Sequence, residues 1–290
     1  MTSEVDFAGF DSDFDESTYS ILGVPYDRTS SFRLGSGKAP DKIRKASYCF
    51  EPYLLEYESS LSEIPMHDQG NIGETEDYSK LKKELKKEVK NICDNEKFPI
   101  VLGGEHSLSP IVVSALKKEH DDLDVLILDA HLDFRDEYEG LKHSHATVSK
   151  RISETVGLER TFVYGVRSTA KDYPDENRPV YFTSKRIREY RRSDQNEDMP
   201  LLKEVFQKIS RPTYLSIDMD VIDPAYAPGV GNPEPFGLEP RVVKDLISKI
   251  APRIVGLDIV EVCPKYDDSD LTSNLAARFV YEILGARENY

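Results

Sequence analysis

The chain has 290 residues, 39% hydrophobic and 10% aromatic, which permits a sizeable buried core and argues against disorder. Its 38 basic and 53 acidic residues give a formal net charge of -15, which argues against nucleic acid as the main partner and suits a cationic substrate. The widely spaced Cys49, Cys93 and Cys263 do not form a disulfide framework or zinc knot, no apolar run approaches the roughly 20 residues of a membrane span, and the acidic N-terminus does not read as a signal peptide, so a cytoplasmic protein is expected.

Residues 1–17 are polar and acidic but carry Phe7, Phe10 and Phe14. They read as an N-terminal arm that frays, or packs its aromatics on the body or on another subunit. Residues 19–24 read as a buried strand stopped by Pro25, and a short helix at 41–47 follows Pro40. Residues 79–95 are the clearest amphipathic helix, with Leu81, Leu85, Val89 and Ile92 on one face and Ser79 as N-cap. A strand at 98–102 runs into Gly103-Gly104-Glu105-His106-Ser107, where the glycines let the chain turn tightly. A helix is expected at about 110–120 and a strand at 124–128.

Ser144-His145-Ala146-Thr147 leads into a helix ending near 156, and short strands follow at 161–165 and 180–183. Residues 191–200 read as a polar surface loop, 201–209 as a helix and 213–217 as a strand. Pro224, Pro228, Gly229, Gly231, Pro233 and Pro235 mark a long irregular loop, a common home for functional residues. A helix at 239–250, a strand at 253–259 and a helix at 270–284 close the chain. Strands alternate with helices throughout. That pattern implies an α/β fold, a three-layer α/β/α domain over 18–290 with a mainly parallel sheet of about eight strands. No linker divides it.

Two strands end in carboxylates at every second position: Asp129-Ala130-His131-Leu132-Asp133 after the first, Asp218-Met219-Asp220 at the second. Side chains alternate along an extended chain, so each set would share one side if the strand persisted. Carboxyl ends of strands are where open α/β sheets receive ligands. A lone His or a lone Asp-x-Asp is more often structural, but two such endings on buried strands, with His106 added, form one set. Four carboxylates and two histidines exceed what a single zinc takes. They suit two hard or borderline divalent ions about 3.5–4 Å apart, Mn before Mg, which acidify a shared water into a nucleophile.

These motifs resemble the ureohydrolase family of arginases and agmatinases, over nearly the whole chain from Gly23-Val24-Pro25-Tyr26-Asp27 to the last helix. The resemblance implies that His106, Asp129, His131, Asp133, Asp218 and Asp220 ligate two Mn(2+) ions. It implies a homotrimer or homohexamer, and hydrolysis of a guanidinium to urea and an amine by hydroxide bridging the ions. Glu261, in Asp258-Ile259-Val260-Glu261, matches the family's guanidinium-binding glutamate, and a carboxylate can accept paired N–H bonds from that group. His145 matches the family's proton-shuttling histidine, with His143 as competitor. Asp133 passes the nucleophile's proton to the leaving amine.

The same resemblance favours agmatine, giving putrescine and urea. Ser144-His145-Ala146-Thr147 is similar to the agmatinase form, apart from Ala146, and Arg135 stands where arginases place an asparagine. Arg135 either pairs with Asp136 or Glu137, or meets a substrate carboxylate. Arginine, aminopropylagmatine, guanidinobutyrate and formimidoylglutamate are the alternative substrates, and a catalytically silent metal-binding protein is the reading from another class.

Overall fold

A computed structural model describes residues 5–9, 12–170, 177–193, 205, 207–209 and 211–289. Its strands are β1 (Tyr19–Val24), β2 (Tyr53–Leu54), β3 (Ser59–Ser60), β4 (Met66–Asn71), β5 (Phe98–Gly103), β6 (Asp124–Leu128), β7 (Thr161–Val166), β8 (Val180–Thr183), β9 (Thr213–Asp218) and β10 (Ile254–Val260). The helices are α1 (Ala39–Ser47), α2 (Tyr78–Asp94), α3 (Ser109–Leu116), α4 (Val148–Val156), α5 (Ser184–Ser193), α6 (Pro240–Ile250) and α7 (Leu271–Glu288). Eight strands pair in parallel in the order β4-β1-β5-β10-β9-β6-β7-β8. β2 and β3 form a separate antiparallel pair.

Alternation within the buried strands builds two cores. Leu126 and Leu128 of β6 face one, with Ile43 of α1, Leu246 of α6 and Val280 of α7. Val125 and Ile127 face the other, with Leu85 of α2, Val112 of α3 and Ile152 of α4. Strands hidden on both faces become continuous apolar runs, which is why β5, β6 and β9 are so legible. The expected α/β/α layering with a parallel sheet is present.

Several boundaries differ from expectation. β4 went unseen because Met66-His67-Asp68-Gln69-Gly70-Asn71 has no apolar run, as an edge strand with β1 as its one neighbour can allow. The N-cap of α2 is Asp77, not Ser79; its carboxylate accepts the Ser79 N–H at 2.8 Å. Helix α3 stops at Leu116, short of 120, and α7 runs past 284 to Glu288. Residues 191–193, expected in a loop, belong to α5, a strongly charged helix in which Ile187 is buried. The rest of that loop, 194–200, and most of the helix expected at 201–209 lie outside the described residues.

The described part of the arm is packed down. Phe7 is fully buried, 5.8 Å from the Tyr281 ring, and its N–H donates to Asp68 Oδ2 at 2.9 Å. Asp68 also receives the buried Arg44 guanidinium through two bonds of 2.8 Å, and Arg44 donates a third to Asn71 at 2.6 Å. Gly23 has no room for a side chain beside this network, since a Cβ there would lie 1.8 Å from Asn71 Oδ1.

Candidate metal centre and active site

The four central strands, β5, β10, β9 and β6, deliver the sequence-predicted residues from adjacent carboxyl ends. His106 follows β5, Glu261 follows β10, Asp218 ends β9, and Asp129 follows β6. The residues converge as expected, but not by strand alternation. β6 stops at Leu128, but the chain stays bonded alongside β7, with the Asp129 N–H donating to the Tyr164 carbonyl at 3.0 Å and an isolated parallel bridge at His131–Ser168, before Asp133 takes a left-handed backbone conformation, φ +46°. β9 stops at Asp218, and Asp220 lies in a 3-10 turn, Met219–Val221.

Carboxylates fix both turns. Asp218 Oδ1 accepts the Asp220 N–H at 2.8 Å, Asp129 Oδ1 the His131 N–H at 2.6 Å, and Asp220 Oδ1 the Ala130 N–H at 3.0 Å. Glu261 is also left-handed, φ +65°, and strain held by its surroundings is a recurrent property of functional positions. The two glycines before His106 serve a close approach and not a left-handed turn. A Cβ on Gly104 would lie 2.0 Å from the Tyr26 carbonyl oxygen.

Asp129 is common to two groups of donor atoms. One joins His106, Asp129 and Asp133; the other joins Asp129, His131 and Asp220, and within each the donors lie within 4.8 Å of one another. His106 Nδ1 is 3.1 Å from Asp218 Oδ2 and 3.4 Å from Asp129 Oδ2. His131 Nδ1 is 2.9 Å from Asp220 Oδ2 and 3.5 Å from Asp129 Oδ1. His106 is completely buried, yet its Nδ1 has no hydrogen-bond partner. A buried polar atom aimed into a carboxylate cluster fits a cation. Five of the six predicted ligand positions fall in these two groups, which could each hold a cation and share Asp129, and the sixth, Asp218, lies beside His106.

The protonation balance points the same way. Burial raises the Asp133 carboxyl well above its ordinary range, and Asp129 adds to the effect. Burial and the Asp220 charge do the same for Asp218. Burial opposes charge on His106 and His131, but the carboxylates around them outweigh it and raise both. In return the two imidazoles overcome the burial of Asp129 and hold it below the usual carboxylate range. The cluster therefore concentrates negative charge that protons or cations must compensate.

Behind the donors is a layer that the sequence reading did not single out. His106 Nε2 meets Ser216 Oγ at 3.0 Å, and Ser216 donates to the buried Asp258 at 2.6 Å. His131 Nε2 faces Glu234 Oε1 at 3.3 Å. Arg167 donates to the carbonyls of Asp220 at 2.6 Å, Glu234 at 2.7 Å and Val221 at 3.2 Å, tying the turn after β9 to the long loop that carries Glu234. Ser216 stands two residues before Asp218 on the same strand face, which was a usable signal. Arg167 and Glu234 become visible only in three dimensions.

A cavity of about 200 Å³ opens onto this cluster, lined by His131, Asp133, His145, Ser31, Tyr138 and Asn232 among others. His145 is held neutral, its pKa pushed down to about 4 by burial and by His131 and His106. His143 is turned away and stacks on Tyr78 at 4.5 Å. Glu261 does not line the cavity. It is buried against the cluster, where its Oε1 accepts the His106 N–H at 2.8 Å, and burial followed by the nearby Glu105 raises its pKa. Arg135 lines the cavity with its guanidinium over the Tyr138 ring at 5.5 Å, while Asp136, one of its two expected partners, is paired with Lys150 at 3.3 Å.

The sequence profile of the arginase family matches residues 17–285. The chain belongs to the arginase family. Within that family it is 36% identical to an agmatinase of Bacillus cereus over 276 residues, 93% of this chain and 92% of the relative. It is 32% identical to an N(1)-aminopropylagmatine ureohydrolase of Thermococcus kodakarensis, covering 95% of this chain and 93% of the relative. The crystal structure of an agmatine ureohydrolase from Thermoplasma volcanium superposes with a TM-score of 0.91 at 38% identity, covering 100% of this chain and 96% of that one. This arginase-family chain is thus a ureohydrolase acting on guanidino C–N bonds. Among its described residues no helix is long and apolar enough to cross a membrane.

Proposed function

We propose that the protein is a binuclear manganese enzyme that hydrolyses agmatine to putrescine and urea. The observation that carries this is the sharing of Asp129 between two histidine–carboxylate groups beside a buried Glu261. His106, Asp133 and Asp218 would hold one ion, His131 and Asp220 the other, with Asp129 common to both. The all-N,O donor set favours Mn over thiolate-selected metals. When bound, the ions supply an acidified water and electrostatic stabilisation of the developing charge.

The chain's own residues supply the rest. Glu261 spends one oxygen on the His106 N–H, and its other oxygen would accept from a substrate guanidinium that reaches past the cavity lining, orienting it for attack. Asp133 carries the proton from the nucleophile to the leaving amine. His145, neutral at physiological pH, exchanges protons between the cavity and solvent. The acidic surface draws in a cationic substrate. Arg135, resting on Tyr138, is structural in this reading. A cytoplasmic homotrimer or homohexamer completes the proposal.

The agmatine assignment rests on the agmatinase relatives. Aminopropylagmatine is the second reading, supported by the Thermococcus relative. The deciding experiment is urea release from Mn-loaded protein with agmatine and arginine side by side, then aminopropylagmatine and guanidinobutyrate, with formimidoylglutamate followed by its own product. Faster turnover of agmatine than of the others is the expected result. Urea from arginine or guanidinobutyrate instead would give Arg135 a carboxylate to bind, and silence on every amidine would leave a metal-binding protein of another activity.

A further inference from the structure

Ser31 and Asn232 line the cavity, and near each in the chain is a residue that turns toward Glu261. A Cβ on Gly231 would lie 2.9 Å from Glu261 Oε2 and 3.7 Å from the Arg33 carbonyl oxygen. Apart from its own chain neighbours, it would meet no other atom of the described residues within 4 Å. Oε2 is the oxygen opposite the one that accepts the His106 N–H. Two acceptors thus face one point, and that point is open because residue 231 has no side chain.

Both walls of this gap are fastened. Val230 forms an antiparallel bridge with Val262, and the Gly229 carbonyl accepts the Cys263 N–H at 2.7 Å. Arg33 donates to the Pro228 carbonyl at 3.2 Å and lies over the Tyr266 ring at 4.8 Å. Thr29, in the same loop between β1 and α1 as Arg33, accepts the His145 backbone N–H at 3.0 Å through its hydroxyl.

The two glycines of the long loop leave out a side chain for different reasons. At Gly229 a Cβ would lie 2.4 Å from Asp267 Cβ and 3.0 Å from its Cα, so packing forbids one. Gly231 is not left-handed, and only the tip of Glu261 crowds it. Backbone and packing would otherwise accept alanine there, and alanine costs less chain freedom on folding. Glu261 has little freedom to step aside, since its Oε1 holds the His106 N–H at 2.8 Å and its own backbone is left-handed. A guanidinium is flat and presents only N–H donors. It matches a gap bordered by two acceptors, and a methyl group in that gap would exclude it.

We propose that Gly231 is a positioning residue that keeps open the seat of the substrate's guanidinium, in which the flat group lies against Glu261 Oε2 with the Arg33 carbonyl as second acceptor. This rests on the reading of Glu261 as the guanidinium acceptor. The seat reads the guanidino end, which every guanidine shares, and leaves the choice of tail to the cavity beyond it.

The test compares Gly231→Ala with wild type in unfolding and metal content, in calorimetric binding of methylguanidine to the Mn-loaded protein, and in urea release. Gly231→Ala is expected to hold two metals and to be as stable as wild type or slightly more so. Its affinity for methylguanidine and its kcat/KM on agmatine fall on the order of tenfold to a hundredfold, the worth of one or two hydrogen bonds to a charged group. Wild-type affinity and kcat/KM in Gly231→Ala overturn the proposal. An unfolded or metal-depleted Gly231→Ala overturns it as well, because the position would then be structural like Gly229. A wild type that binds methylguanidine but releases no urea from agmatine overturns the proposed function, while the seat is still read by binding. A wild type that binds neither methylguanidine nor any longer guanidine overturns the seat itself.

Discussion

Ser216 Oγ lies 3.0 Å from Nε2 of His106 and spends its own proton on Asp258. The serine oxygen is then an acceptor, so His106 is protonated on Nε2 and turns an unprotonated Nδ1 into the carboxylate cluster when neutral. Replacing Ser216 by Ala removes that fixation without touching a donor atom. Metal affinity is expected to fall about 10–100-fold, read by competition with a chelating dye. Wild-type affinity in Ser216→Ala would show that the hydroxyl is incidental.

Loading with metal should release protons. In the metal-free cluster Asp133 and Asp218 titrate above the usual carboxylate range and His106 and His131 are raised as well, whereas ligands must be deprotonated. Affinity for Mn(2+) therefore rises with pH and weakens as pH falls. Calorimetric titration at pH 7 in two buffers of different ionisation heat measures the release. Identical heats in both would contradict it.

Arg167 joins the Asp220 turn to the Glu234 loop through a planar fork that lysine cannot reproduce. Arg167→Lys keeps the charge and loses the geometry. The His131–Asp220 group should then hold its ion more weakly, with activity down about 10–100-fold and partly restored by excess metal. Full activity at limiting metal would remove Arg167 from any part in the site.

Arg44 and Asp68 form a fully buried pair that also holds the backbone of Phe7. Arg44→Ala leaves a carboxylate buried without its counter-charge. The expected loss is about 3–5 kcal/mol in denaturant unfolding. A loss below about 1 kcal/mol would mean that water reaches Asp68 as readily as Arg44 does.

The strands that carry the metal-site residues were legible because burial on both faces left them as plain apolar runs, and the residues themselves because their chemistry is written in short contiguous motifs. The reason they converge was not legible. Asp133 and Asp220 reach the cluster through a left-handed residue and a 3-10 turn after their strands end, and no side-chain pattern encodes either. The edge strand β4 was lost for want of apolar residues. Glu234, Arg167 and Thr29 come from loops whose spacing carries no periodicity, and their partners lie up to 116 residues away along the chain.

Synthesis order has a consequence for when the site can exist. β10, the last of the described strands in chain order, is inserted between β5 and β9. A nascent chain ending before Ile254 holds two unjoined half-sheets, β4-β1-β5 carrying His106 and β9-β6-β7-β8 carrying the aspartates and His131. Of the two donor groups only the one with His106 lies across that seam; Asp129, His131 and Asp220 all belong to the β9-β6 half. His106 can therefore join only once β10 is in place, and a chain cut before Ile254 keeps at most the Asp129–His131–Asp220 group. Capture of a second ion, on this topology, reports that β10 has been inserted.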